Sequence, residues 1–196
     1  MAYPTSPVFS TVNLQSVSPT LVSESVSGKL QARQIAGQRW SFSASYAPMT
    51  RFEFAPVSAF IMQQRGRLNT FTIELPIMSD SGSSATGTLA ANGAVTSGNT
   101  VITVDGLTGT LELGDLVKFD NHDKVYMVVA KSGTNMTSMT IEPPLAEDVA
   151  DNEEIIYNNV PMKVRLNNDV QEFGLRTDSL ISYEVDFSEA ISWLAR

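Results

Sequence analysis

The sequence predicts a mainly β protein: a split β-sandwich with one short helix, carrying an inserted small β-barrel. Three observations lead there. Trp40, Phe42, Ala44 and Tyr46 alternate with serine along WSFSASY, the period-two signature of a half-buried strand. Just after Met78 the composition changes abruptly to DSGSSATG, which is turn chemistry rather than core. Charge is also partitioned. Met1 to Ile77 holds six Lys/Arg against three Asp/Glu (+3), Met78 to Val160 three against twelve (−9), and Pro161 to Arg196 four against six (−2), which together make the net −8. The acidic middle, 78–160, is therefore expected as an insertion, and the flanks 1–77 and 161–196 as the two halves of one host domain.

Strand patterns run through the first flank. VFSTVNLQ (8–15) alternates, and LVSESVSGKLQARQI (21–35) is a long run interrupted at Gly28. Two rules compete over residues 50–66. Thr50 and Glu53 have the spacing of a capping box, which would start a helix at Arg51. Pro56 would then lie inside that helix, at a cost of about 3 kcal/mol. The expected solution keeps Arg51 to Phe54 extended and places Pro56 at the first helical position, with Val57, Phe60 and Ile61 as the apolar stripe and Gly66 as the stop. TFTIEL (70–75) then reads as a strand.

Within the insert, residues 79–99 read as a flexible connector and hairpin region. Short strands follow at 100–106, 114–119, 123–130, 138–145 and 153–160, at the close spacing of a small barrel or sandwich. Long alternation resumes at 162–167, 170–175 and 180–194.

Composition excludes several classes of function. The chain of 196 residues has no cysteine, so neither a disulfide framework nor a thiolate metal site is possible. No basic n-region precedes an apolar run, and no stretch approaches about 18 uninterrupted apolar residues. A soluble chain is expected, with no membrane as partner. The net charge argues against nucleic acid as a partner, since phosphates demand a basic face. No phosphate-binding glycine motif occurs, and no cofactor is expected.

The one segment that invites a chemical reading is GDLVKFDNHDKVYMVV (114–129). It contains His122, the sole histidine, with Asp115, Asp120 and Asp123 close by. An EF-hand counted from Asp120 would need glycine at the sixth position and glutamate at the twelfth; Val125 and Lys131 stand there. One imidazole is too few for a histidine-based zinc site, and no G-x-S-x-G elbow accompanies it. Strand formers flank Asp120-Asn121-His122-Asp123, so a solvated hairpin turn is expected. Glu147, Asp148, Asp151, Glu153 and Glu154 could supply a carboxylate pair for glycoside chemistry, but an acidic run between short strands usually forms a solvated loop. No catalytic or metal-binding residue is assigned. The candidate interface residues are Arg39, Trp40, Arg65, Arg67, Tyr183 and Trp193, with Arg51 possible beside the arginines. Helix-dipole complementarity alone would explain Arg65, and Trp40 reads first as core and second as an interface anchor.

The order of these pieces carries a resemblance. GQRWSFSASY, the short helix APVSAFIMQQRGR, NTFTIELP, the acidic β-insert and the closing LISYEVDFSEA together resemble tail proteins of long-tailed bacteriophages, above all the distal tail (Dit) type and its relatives in the tail-tube fold. The helix-Gly-Arg-x-x-x-Phe passage, Ala55 to Phe71, is the most telling part. LELGDLVKFDNHDKVYMVV followed by MTIEPPL also resembles a small barrel inserted in tail and baseplate proteins. The resemblance implies a non-enzymatic virion protein at the tail tip or baseplate, assembled in the host cytoplasm. It implies a homo-oligomeric ring, expected as a hexamer, formed by the split domain through edge-to-edge sheet contacts. The ring's partners would be the tail tube protein and baseplate hub or fibre proteins. Tail tube, tail terminator and distal tail proteins share related folds, so position along the tail stays open. A second hypothesis is a carbohydrate-binding module on the insert, with Tyr126, His122 and nearby acids in a groove. A third, disfavoured, is an acid/base glycosidase using Asp120 and Asp123.

Overall fold

The structure, a computed structural model, describes residues 1–35 and 37–191. Among them the protein is mainly β. In chain order the elements are β1 (Thr11–Val17), β2 (Thr20–Glu24), β3 (Leu30–Gln34), β4 (Arg39–Ser45), α1 (Arg51–Gln64), β5 (Phe71–Glu74), β6 (Thr86–Ala91), β7 (Val101–Thr108), β8 (Leu116–Phe119), β9 (Val125–Ser132), β10 (Ser138–Glu142), β11 (Ile155–Ile156), β12 (Pro161–Leu166), β13 (Phe173–Leu175) and β14 (Ile181–Glu189). The chain divides into two compact units. One comprises Met1–Tyr3 and Thr70–Val164 with the described residues after Glu189; the other comprises Pro4–Asn69 and Arg165–Glu189.

In the second of these units β4 is central. It pairs antiparallel with β1 on one side and β14 on the other, and β13 pairs with β14. The alternation in WSFSASY has the expected result: Trp40, Phe42 and Ala44 are buried, and Tyr46 is buried just beyond the strand. Phe42 packs on Phe187 of β14 with ring centroids 4.8 Å apart. Strand β14 ends at Glu189, and 192–194 of the expected long strand lie outside the described residues.

The helix departs from expectation, since α1 starts at Arg51 and Pro56 lies inside it. The Glu53 carboxylate accepts both the N–H and the hydroxyl of Thr50, each at 2.8 Å; the backbone N–H first, then the hydroxyl, hold it below its ordinary pKa range. Starting one turn early also places Phe54 on the stripe with Val57, Phe60, Ile61 and Gln64. Phe54 is buried against Phe173 (5.4 Å) and Tyr183 (5.3 Å). Burying a phenylalanine is worth roughly 1.5–3 kcal/mol, which together with the capped turn offsets the roughly 3 kcal/mol of an interior proline. The helix closes with Arg65 at φ 56° and Gly66 at φ 65°, so the expected glycine stop is present, preceded by a left-handed arginine.

LVSESVSGKLQARQI is not one interrupted strand but a hairpin: β2 and β3 pair antiparallel around Gly28, whose φ of 76° suits the turn.

The other unit contains a six-stranded, nearly closed barrel-like sheet in the order β11-β8-β9-β10-β7-β6. Its ends approach through Ala91 N–H to the Glu153 carbonyl and Asn152 N–H to the Ala91 carbonyl, both 2.9 Å. Leu89, Ile102, Val117, Tyr126, Met139 and Ile141 are among its core side chains. The segment expected as a flexible connector contributes β6 to this sheet, because Leu89 and Ala91 alternate into the core. Glycine and serine around them masked a two-residue apolar signal. Beside the barrel, β5 pairs antiparallel with β12. The Tyr3 N–H meets the Thr72 carbonyl at 2.8 Å, with the Tyr3 ring stacked on Phe71.

Candidate functional site

The expected interface residues separate by burial. Arg39, Arg65 and Arg67 are exposed. Trp40 and Tyr183 are buried in their own unit at 5% and 3% exposure. Trp40 donates its backbone N–H to Glu189 Oε2 at 3.0 Å, and Tyr183 donates its hydroxyl to Gln171 Oε1 at 2.7 Å. Trp193 lies outside the described residues. The arginines at the helix end are held by a defined loop: Arg67 N–H donates to Asp169 Oδ1 at 3.0 Å, beneath Gly66. Arg51 is exposed in the first turn of α1.

Four acidic residues of the barrel, Asp115, Asp148, Asp151 and Glu153, fasten turns. Asp148 Oδ1 accepts Ser97 N–H at 2.8 Å, Asp151 Oδ1 accepts Gly93 N–H at 2.7 Å, and Glu153 Oε1 accepts Asn121 N–H at 3.0 Å. Asp115 takes Gly82 N–H, the Ser81 hydroxyl and Glu112 N–H at 3.1, 2.5 and 2.8 Å. A carboxylate beside a backbone N–H is stabilised in its charged form and closes the turn it caps. None of these contacts poses two carboxyl groups across a cleft for acid/base work on a glycoside.

The turn of the β8–β9 hairpin falls where expected, between Phe119 and Val125, but it is not simply solvated. His122 is only 2% exposed. Its Nδ1 lies 2.9 Å from the Tyr126 hydroxyl, and its Nε2 lies 3.5 Å from the Asp148 carbonyl. Tyr126, fully buried, accepts the Ala146 N–H at 3.0 Å. Burial lowers the His122 pKa below its ordinary 6.5, more than the Asp148 carbonyl, Glu147 and Glu153 raise it; Lys118 adds to the lowering. The groove imagined for a carbohydrate around His122 and Tyr126 is therefore corrected, since neither ring presents a stacking face to solvent. Local spacing could not reveal this, because the segment that buries the imidazole comes from beyond β10.

The feature best suited to binding was absent from the expected site residues. Every residue of β2 and β3 is exposed. The register sets Thr20 opposite Gln34, Val22 opposite Ala32 and Glu24 opposite Leu30, so one face of the ribbon carries Val22, Ala32 and Leu30 among polar neighbours. The other pairs Leu21 with Arg33 and Ser23 with Gln31. Leu21, Val22, Leu30 and Ile35 are 53–66% exposed, and Val26 near the tip is fully so. An isolated two-stranded ribbon is marginal in water, and an exposed apolar strand pair is a template for another chain. The legible signal was Gly28 among serines between two β-prone runs.

Fold and site together define a mainly β protein with a barrel-like sheet and an exposed two-stranded ribbon. Residues 78–160 match the family described as distal tail protein pb9, B domain. No curated protein matches the chain. The family match supports a Dit-like phage distal tail protein, and with it a structural component of the virion tail.

Proposed function

We propose that the chain is a distal tail adaptor: a ring at the tail tip or baseplate that joins the tail tube to the hub and to peripheral proteins. In this reading residues 1–77 and 161–196 form the ring, and the acidic domain 78–160 faces outward. The observation that carries the proposal is the β2–β3 arm, ten strand residues all exposed, with Val22, Ala32 and Leu30 on one face for a neighbouring subunit to cover. A heterologous contact of this kind closes into a ring when the rotation between subunits is right, and strand pairing supplies its hydrogen bonds. The family match at 78–160 supports the tail context. Such a protein acts through shape and assembly, without catalysis.

Light scattering and negative-stain electron microscopy of the purified chain test this. A discrete ring, expected as a hexamer, that binds the end of a purified tail tube is the predicted result. A monomer at high concentration with no affinity for the tube overturns the proposal.

A further inference from the structure

The β8–β9 turn is built around an imidazole whose hydrogen bonds fit one protonation state. Tyr126 Oη accepts the Ala146 N–H, which leaves the phenolic hydrogen to donate to His122 Nδ1. Nε2 then bears the proton of the neutral ring and faces the Asp148 carbonyl. Through one histidine and one tyrosine, the turn of one hairpin is fastened to the chain at Ala146–Asp148.

We propose that His122 is an acid-sensitive latch: neutral, it holds the β8–β9 turn against Ala146–Asp148, and on taking up a proton it releases that segment. Protonation places a hydrogen on Nδ1, where a hydroxyl already points its own hydrogen, so the bond must reverse. The charged ring would also stand in a site with only 2% exposure. The other charges facing the ring do not remove this conflict. The Asp148 carbonyl, then Glu147 and Glu153, favour the charged form, while burial, the largest influence, and Lys118 on β8 oppose it. On the turn itself, Asp123 is engaged with Lys163, Lys124 is buried, and Asp120 is exposed. Tyr126 enters as the neutral phenol of β9.

The latch has a mechanical consequence inside its own unit. Asp123, next to His122, meets Lys163 of β12 at 2.7 Å. Asn121, on the other side, donates its N–H to Glu153 at 3.0 Å. A turn that lets go of Asp148 loosens both ties, and the barrel gains freedom relative to β12.

Amide exchange followed by NMR on the full chain, from about pH 7.5 to about pH 5, tests it. The Ala146 and His122 amides are expected to lose protection by up to about tenfold per pH unit below 6.5, while core amides of β9 and β10 hold theirs. Flat protection of Ala146 across the range overturns the latch, as does an imidazole whose Cε1–H titrates at or above the ordinary value. His122→Gln keeps a polar side chain but cannot take up the proton, so its Ala146 protection is expected to be flat. The same acid loss in that variant would assign the effect to Glu147 or Glu153 and overturn the proposal. If His122→Gln does not fold, the Cε1–H titration of the unaltered chain still decides.

Discussion

Lys163 Nζ lies 2.7 Å from Asp123 Oδ2, joining strand β12 to the turn of the β8–β9 hairpin, with each side chain 29% exposed. A half-sheltered pair is worth more than a free surface pair but is still screened by solvent. Lys163→Met is expected to cost about 1 kcal/mol, most of it vanishing in an Asp123→Asn background. A double-mutant cycle by urea unfolding measures the coupling. A coupling of zero would show that the pair does not tie the turn to β12.

Gly106 is predicted to be the least replaceable residue of β7. Its φ is +81°, and a Cβ there would run into the Thr88 carbonyl, while one on Gly87 (φ +111°) would run into the Gly106 carbonyl. The two glycines let β6 and β7 approach where their register shifts. Gly106→Ala is expected to destabilise the fold by about 2 kcal/mol or more, whereas Gly93→Ala, with no neighbour near its Cβ, meets only the backbone strain of φ +98°. Thermal unfolding of the two variants side by side tests the difference.

Alkaline pH gives a third prediction. Burial, followed by Tyr46 and Asp186, raises the Tyr183 pKa well above its ordinary 10.0. The unfolded phenol ionises near 10.0 and the folded one later, so this contribution is complete below 10.0 and is lost as pH rises beyond it. Ultraviolet titration should show Tyr183 ionising only as the fold opens. In Tyr183→Phe that late step disappears, and stability near neutral pH falls by about 1 kcal/mol with the lost bond to Gln171.

What could be read from the sequence was what depends on near neighbours. WSFSASY alternates because one face of β4 is core, and the strand formers around Asp120–Asp123 fold back on each other as a hairpin. The misreadings came from distant partners. Pro56 lies inside α1 because Phe54 finds Phe173 and Tyr183 far along the chain. His122 is buried because Ala146–Asp148 folds over its turn. β6 was hidden because only Leu89 and Ala91 mark it, and their core is supplied by other strands. The exposed arm was half legible: the β-prone runs and Gly28 were visible, but total exposure of both strands can be known only once the rest of the fold leaves them uncovered.

That exposure makes the arm the sharpest place to test assembly. Val22 and Leu30 are 54% and 66% exposed and make no core, so replacing both with aspartate removes little buried area from the single chain. Val22→Asp with Leu30→Asp is therefore expected to leave the unfolding free energy of the monomer within about 0.5 kcal/mol of the original. At an interface the same change buries two unpaired carboxylates, and the desolvation cost far exceeds anything the surface of a free arm would register. The double variant is predicted to run as a folded monomer by light scattering, with circular dichroism unchanged, and to lose binding to the tail tube. Leu68, exposed at 70% beyond the helix, supplies the control: Leu68→Asp should leave assembly intact. If the arm variant assembles as well as the Leu68 control, the contact between subunits lies elsewhere.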